Sequence, residues 1–294
     1  MQAVANIRLL RHQKEMLKTI FQIFFKWLRP SKGAIQLSKL QCSNHNILPK
    51  EKIVLAYHQW LQCHQRYHKT IAPHLFPLWS YPNLFKLGEK LNLPLHKVLN
   101  QGCKMIINHD IPLNSPLNTK IEIFDMKDLP SKYRINQRIT TSTKDHHDAL
   151  ISEIYAVILK DTKSILSKKR KSSKIDTDSL TFLARKKIQK ADAQSYAYLS
   201  GDINPIHLSQ KIAKLMGLKG SIMHGFGLFA MIYEILKENN FNVTEIDIKF
   251  LAPVYLENDI EVFIQAKSEN QYQLRVLDSE HKVTHLGGSF KIKH

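Results

Sequence analysis

Tyr196-Ala-Tyr-Leu-Ser-Gly-Asp202-Ile-Asn204-Pro205-Ile-His207 is the stretch that decides how this 294-residue chain is read. It sets a carboxylate and an imidazole five residues apart, around an Asn-Pro pair. Gly201 permits a turn that a Cβ would obstruct. Pro205 restricts Asn204 to extended backbone and suits the first position of a helix. Asn204 is then an N-cap for a helix over 206–217, with Leu208, Ile212, Ala213, Leu215 and Met216 on its apolar side and Gly217 as its stop. His207 falls in the first turn. There the positive end of the helix favours a neutral imidazole, while Asp202 favours the charged one. Taken singly, Asp202 and Asn204 are ordinary capping residues and His207 is surface filler.

A second segment, Gly220-Ser-Ile-Met-His224-Gly225-Phe226, leads into an apolar helix. Phe226, Leu228, Phe229, Met231, Ile232, Ile235 and Leu236 cover nearly every face, so burial is expected. The first amides of a helix have no partner inside it. A thioester oxygen gaining negative charge there would find a donor and a favourable dipole. The plainer reading is that Gly225 is small for close packing and that His224 is a packed, hydrogen-bonded side chain. Together the two segments point to chemistry on a thioester.

The pattern carried by Tyr196, Ala197, Ser200, Gly201, Asp202, Asn204, Pro205, His207, Ala213, Gly217, Ile222, His224 and Gly225 resembles the signature of the MaoC-like, (R)-specific (type 2) enoyl-CoA hydratases. Phe226 stands where that family often has Met, a change of pocket shape more than of chemistry. The resemblance implies an α+β hotdog fold, a long helix wrapped by an antiparallel sheet. It implies reversible syn addition of water to trans-2-enoyl thioesters, with acyl-CoA or an acyl carrier protein thioester as the partner. Asp202 and His207 would be the catalytic pair, Asn204 would orient them, and the Gly225 amide would form the oxyanion hole. Ser200, Gly201, His224 and Phe226 would line the substrate site. No metal or redox cofactor is implied.

The last part of the chain agrees with a hotdog. Alternating runs at 180–188, 243–252, 259–266, 272–277 and 283–292, separated by polar turns, read as an antiparallel meander. One hotdog leaves more than half of the chain over. Runs at 134–143 and 149–160 read as two long strands joined by a turn at Asp145-His146-His147-Asp148. Residues 84–91 and 94–102 read as short helical pieces, and 104–107 and 120–124 as strands. The Asp-x-Asn-Pro-x-His pattern does not recur here. This half resembles the degenerate copy of two-domain members of the family, which keeps the sheet, loses the active site and often has a disrupted central helix that leaves room for an acyl chain. The expected organisation is a basic amphipathic segment over 1–45, a degenerate N-terminal hotdog over 46–162, a basic linker over 163–178 and a catalytic hotdog over 179–294. The 145–148 cluster fits a polar turn better than a metal site, because spaced ligands are missing.

Net charge is +18 and the pI is about 9.7. Nucleic acid, an anionic membrane and the phosphates of coenzyme A could each use such a balance. Nucleic acid is the weakest reading, because basic and aromatic residues do not interleave. Lys211, Lys219 and Lys249 are candidates for coenzyme A. The basic run Lys168, Lys169, Arg170, Lys171 and Lys174 reads first as a solvated linker, with a nuclear-localisation patch as the alternative. Residues 7–28 form a basic, apolar helix ending before Pro30. It is too short and too charged to span a bilayer, and is expected to lie on a membrane surface or to dock on the domains. Three cysteines without metal-type spacing suggest a reducing compartment, the cytoplasm by default. A hotdog thioesterase and a non-catalytic acyl-binding protein remain the alternative functions, and a homodimer is a candidate assembly.

Overall fold

Alternation builds most of this molecule. In the strand Leu117–Leu129 the side chains of Leu117, Thr119, Ile121 and Ile123 are buried while Asn118 and Lys120 face water. A computed structural model describes residues 5–28, 40–91, 94, 97–160 and 175–293. After a 3₁₀ turn, Ile7–His12, the first half runs α1 (Lys14–Leu28), β1 (Gln41–Ile47), α2 (Glu51–Trp60), β2 (Thr70–Ile71), α3 (Pro77–Lys90), β3 (Val98–Ile107), β4 (Ile111–Pro112), β5 (Leu117–Leu129), β6 (Lys132–Ser142) and β7 (Leu150–Leu159). The second half runs β8 (Thr181–Lys187), α4 (Lys190–Ser200), α5 (Pro205–Leu208), α6 (Gln210–Leu215), α7 (Gly225–Glu238), β9 (Val243–Phe250), β10 (Asp259–Ser268), β11 (Gln271–Asp278) and β12 (Thr284–Ile292).

The short strands β2 and β4 pair with each other, and the remaining ten form one sheet in the order β1-β5-β6-β7-β3-β9-β12-β11-β10-β8. Each half contributes five strands in the same spatial order: first, third, fourth, fifth, second. The halves meet where the two second strands, β3 and β9, pair antiparallel from Gly102↔Lys249 to Ile106↔Glu245. The chain is thus a double hotdog, and the seam supplies within one chain a contact that single hotdogs obtain by dimerising. Gly102 sits at this seam with φ +145°, and a Cβ there would lie 2.1 Å from the carbonyl oxygen of Ile248. Only glycine lets the two sheets approach this closely.

The central helix of the second half, α7, is buried at every position from Phe226 to Leu236. One of those positions is charged. Glu234 accepts hydrogen bonds from the Tyr67 hydroxyl (2.9 Å) and from His74 Nε2 (2.8 Å), and it pairs with Arg66. His74 Nδ1 contacts the Tyr57 hydroxyl at 3.1 Å. All these partners come from the first half, so a buried polar network clasps it to the core of the second. Burial alone would raise the Glu234 carboxyl. His74, Arg66 and Tyr67 outweigh that and hold it below the ordinary carboxylate range.

Several expectations need correction. Residues 94–102 contribute to a strand, not a helix. The backbone of β3 fills the gap between β7 and β9, which would otherwise both be open edges. The helix expected over 206–217 breaks at Ser209, which is extended (φ −128°, ψ 111°) and caps α6 anew through its hydroxyl. Leu215 and Met216 are consequently not on a buried face but 87% and 64% exposed. The second-half strands do not form a simple meander, since β9 lies beside β12 rather than β10. The central helix of the first half is continuous: α3 is as long as α7 despite Pro82. The turn at 145–148 is polar and exposed as expected, with the ring of His146 stacked on His109 at 3.6 Å. Lys249 is not free for a ligand phosphate. Its ammonium lies 3.0 Å from the ring centre of Tyr155 and 3.7 Å from Asp247. The basic run at 168–171 and Lys174 lie outside the described residues.

The N-terminal segment docks on the domains. Gln13, Met16 and Thr19 are buried. The Gln13 side chain donates to the carbonyl of Leu199, and the amide of Ala5 donates to the hydroxyl of Ser195 (3.1 Å). No described helix is long and apolar enough to cross a membrane.

Candidate active site

The α4 helix ends at Ser200, and Gly201 caps it with φ +78°, its amide donating to the Ala197 carbonyl. That left-handed turn throws the chain back so that Asp202 leaves the helix end sideways. A side chain on Gly201 would meet Met16 of α1 at 2.9 Å as well as the conformational penalty. Gly201→Ala is therefore expected to lower stability by about 1–2 kcal/mol. In urea titrations, the double variant with Met16→Ala should lose less than the sum of the two single losses, because the clash is gone while the φ penalty stays.

Ser200 ties the turn together. Its hydroxyl donates to the Tyr196 carbonyl (2.7 Å) and accepts the amide of Asp202 (3.1 Å). Asn204 acts through its backbone at both ends of the pair. Its amide donates to the Asp202 carboxylate (3.3 Å), and its carbonyl accepts the amide of His207 (3.1 Å). Its side chain caps α5 by accepting the amide of Ile206 (3.3 Å). The Asn204 side chain is exposed, and its oxygen serves this cap.

His207 is buried, and its Nδ1–H donates to the carbonyl of Ile222 (2.9 Å). A carbonyl only accepts, so the proton is on Nδ1 and the lone pair is on Nε2. Burial lowers the pKa of His207. The Asp202 charge and the Ile222 carbonyl oppose that shift without cancelling it. Burial, rather than the four-residue α5, is what keeps this imidazole neutral. His224 is fully enclosed, and its Nε2–H donates to the Asp202 carbonyl (2.9 Å). Its ring stacks on His207 with centres 3.7 Å apart. His224 is pushed towards the neutral form by burial and then by His207. It braces both members of the pair from behind.

Asp202, His207 and His224 each offer a ligand-type atom within 4.8 Å of the others. Two imidazole rings tilted by only 26° hold their lone pairs in nearly parallel planes. Such nitrogens do not converge on one ion at ordinary Zn–N distances of about 2.0–2.1 Å. The set fits acid–base work better than metal binding.

Gly225 is the first residue of α7, and a Cβ there would come within 2.9 Å of the Phe250 ring. Its smallness therefore serves packing, and its amide is among the helix N–H groups without an intrahelical acceptor. Phe226 does not line an open pocket alone. It belongs to an aromatic cluster with Phe76 (5.5 Å), Tyr81 (5.7 Å) and Phe250 (6.1 Å). Burial raises the Tyr81 phenol, and Tyr196 and the Asp202 charge raise it further. A small cavity joins Ser200 and Tyr196 to Tyr57, His74, Leu75, Pro77 and Leu78 of the first half. None of these first-half residues stood out in the sequence.

The buried neutral histidines predict a pH effect on stability. His58, whose Nε2 accepts the amide of Ala72, is lowered by burial to about 4. His207 and His224 are lowered too. The unfolded chain takes up these protons first as pH falls below about 6.5. Their contribution is therefore complete above about pH 6.5 and is lost as pH falls towards the folded values. Urea midpoints should drop steadily between about pH 7 and pH 4.

Residues 171–287 match the family of the MaoC like domain. A comparison with curated protein sequences finds no match. Among solved structures, the chain is similar to HtdX of Mycobacterium tuberculosis (TM-score 0.69, 16% identity, 86% of this chain and 100% of that one). It is also similar to the full-length peroxisomal multifunctional enzyme type 2 of Drosophila melanogaster (0.59, 17%, 87% of this chain and 48% of that one). An acyl-ACP thioesterase from Bacteroides thetaiotaomicron shares the fold as well (0.55, 7%, 86% and 98%).

Proposed function

We propose that this double hotdog, whose second half is a MaoC-like domain, catalyses the reversible hydration of trans-2-enoyl thioesters to (R)-3-hydroxyacyl thioesters, making it a hydro-lyase. The observation that carries this reading is the fixed tautomer of His207 beside Asp202. The Ile222 carbonyl accepts a hydrogen bond from Nδ1–H, which leaves the Nε2 lone pair for a water. The Asp202 carboxylate accepts the second hydrogen of that water. As the oxygen adds to C3, His207 Nε2 takes one proton of the water and then returns it to C2 on the same face, while the other hydrogen stays on the oxygen as the new hydroxyl. Charge developing on the thioester oxygen meets the Gly225 amide at the start of α7. Run backwards, the same groups dehydrate a 3-hydroxyacyl thioester.

The acyl chain would run from Ser200 and Tyr196 towards the first half, past the Phe226, Phe76 and Tyr81 rings. The three cysteines are unpaired, which suits the reducing cytoplasm as the place of action. The test is incubation with trans-2-enoyl-CoA of several chain lengths. Loss of the conjugated thioester without release of free thiol is the expected result. Thiol release would replace this reading with a thioesterase.

A further inference from the structure

We propose that α6 and the turn after it form a docking surface for an acidic acyl carrier protein, which presents the thioester to Asp202 and His207. The proposal rests on the hydratase reading and deepens it by naming the carrier. The break at Ser209 turns α6 outward, so that Ile212, Leu215 and Met216 are 39%, 87% and 64% exposed. Three lysines, Lys211, Lys214 and Lys219, are exposed among them. Among the described residues none of the three makes an ion pair, whereas most lysines and arginines on the sheet faces are matched to an acid, as Lys104 and Lys291 are to Glu245. Asp202 is the sole acid between Ser200 and Gly225. The patch is firmly held at its root. Ala213 is buried, the Ser209 amide donates to the Pro205 carbonyl (2.8 Å), and the Ile222 amide donates to the Ile206 carbonyl (3.3 Å). It therefore borders the His207 turn directly.

The chemistry of the patch selects among occupants. The nucleotide phosphates of coenzyme A would use the lysines but leave Leu215 and Met216 in water. A second copy of the chain would set lysines against lysines across a two-fold axis. A protein with an acidic, partly apolar helix satisfies both the charges and the apolar side chains, and it brings a thioester to the place where one is consumed.

The experiment compares the same trans-2-enoyl chain on coenzyme A and on acyl carrier protein, for the wild type, Lys214→Glu and Leu215→Glu. Each variant is expected to lower kcat/KM on the carrier-borne substrate about tenfold or more, through KM, while the coenzyme A substrate stays within about twofold. Titration with holo-acyl carrier protein carrying no thioester should show binding to the wild type that Leu215→Glu loses. Equal losses on both substrates, or no loss on either, would overturn the docking surface. So would carrier titrations without binding, including the case where phosphatidylserine vesicles bind instead and the variants abolish it. If the wild type hydrates only the coenzyme A substrate, docking fails and the hydratase reading stands. If holo-carrier binds the wild type and not the variants, but neither substrate is hydrated, docking stands and the hydratase reading fails.

Discussion

Asp202→Asn is expected to lower hydration turnover about a thousandfold, within the range of positioned acid–base groups. The substitution is nearly isosteric. The amide oxygen still accepts the Asn204 amide, and the Asp202 backbone still holds His224, so the turn should keep its shape. What disappears is the charge that holds a water hydrogen and supports a proton on His207. The thermal midpoint should stay close to that of the wild type, and the loss should fall on kcat more than KM. A variant with near wild-type turnover would remove Asp202 from the chemistry.

Glu234→Ala is expected to cost about 3 kcal/mol of stability, the lower end of the range for breaking a buried ion pair. His74 is wholly buried and the Tyr67 hydroxyl is enclosed, so both lose an acceptor that water cannot replace. Arg66 is 31% exposed and regains water, which keeps the loss from the top of the range. Against a typical total of about 5–15 kcal/mol, this is a large fraction. Glu234→Gln keeps an acceptor and should lose less. Urea titrations of the three proteins would test this. A loss under about 0.5 kcal/mol for the alanine variant would mean that the clasp between the halves lies elsewhere.

The second half was readable because its strands alternate. The expected run over 272–277 lies inside β11, and 283–292 nearly coincides with β12. The first half was harder for identifiable reasons. In β1 the sequence Gln-Cys-Ser-Asn-His-Asn-Ile has no apolar alternation, and the strand exists because β5 offers it an edge. In the sequence Leu95, Val98 and Leu99 stand at i, i+3 and i+4, a spacing that also suits a helix, and pairing of β3 on both sides decides in favour of a strand. The helix over 206–217 failed at Ser209 because a second capping hydroxyl offered its backbone a better exit than a continued turn.

The site divides in the same way. Asp202, Asn204, His207, His224 and Gly225 lie close in sequence, so their turn and helix start could be read from spacing. Their surroundings could not. Trp60 reaches Asp192 across 132 residues, and Tyr81 packs on Phe226 from the other half of the molecule. Only the closing of the double sheet brings those residues in. The role of His224 as a brace is not legible in the spacing either, since its bond to the Asp202 carbonyl depends on how the two segments cross.

The most direct test of the central claim is the stereochemistry of hydration in deuterium oxide. With water held between Asp202 and His207 on one face of the double bond, trans-2-enoyl-CoA should give the (R)-3-hydroxyacyl product, with deuterium at C2 on the same side as the new hydroxyl. An (S) product, deuterium on the opposite side, or a free acid with released thiol would contradict the account.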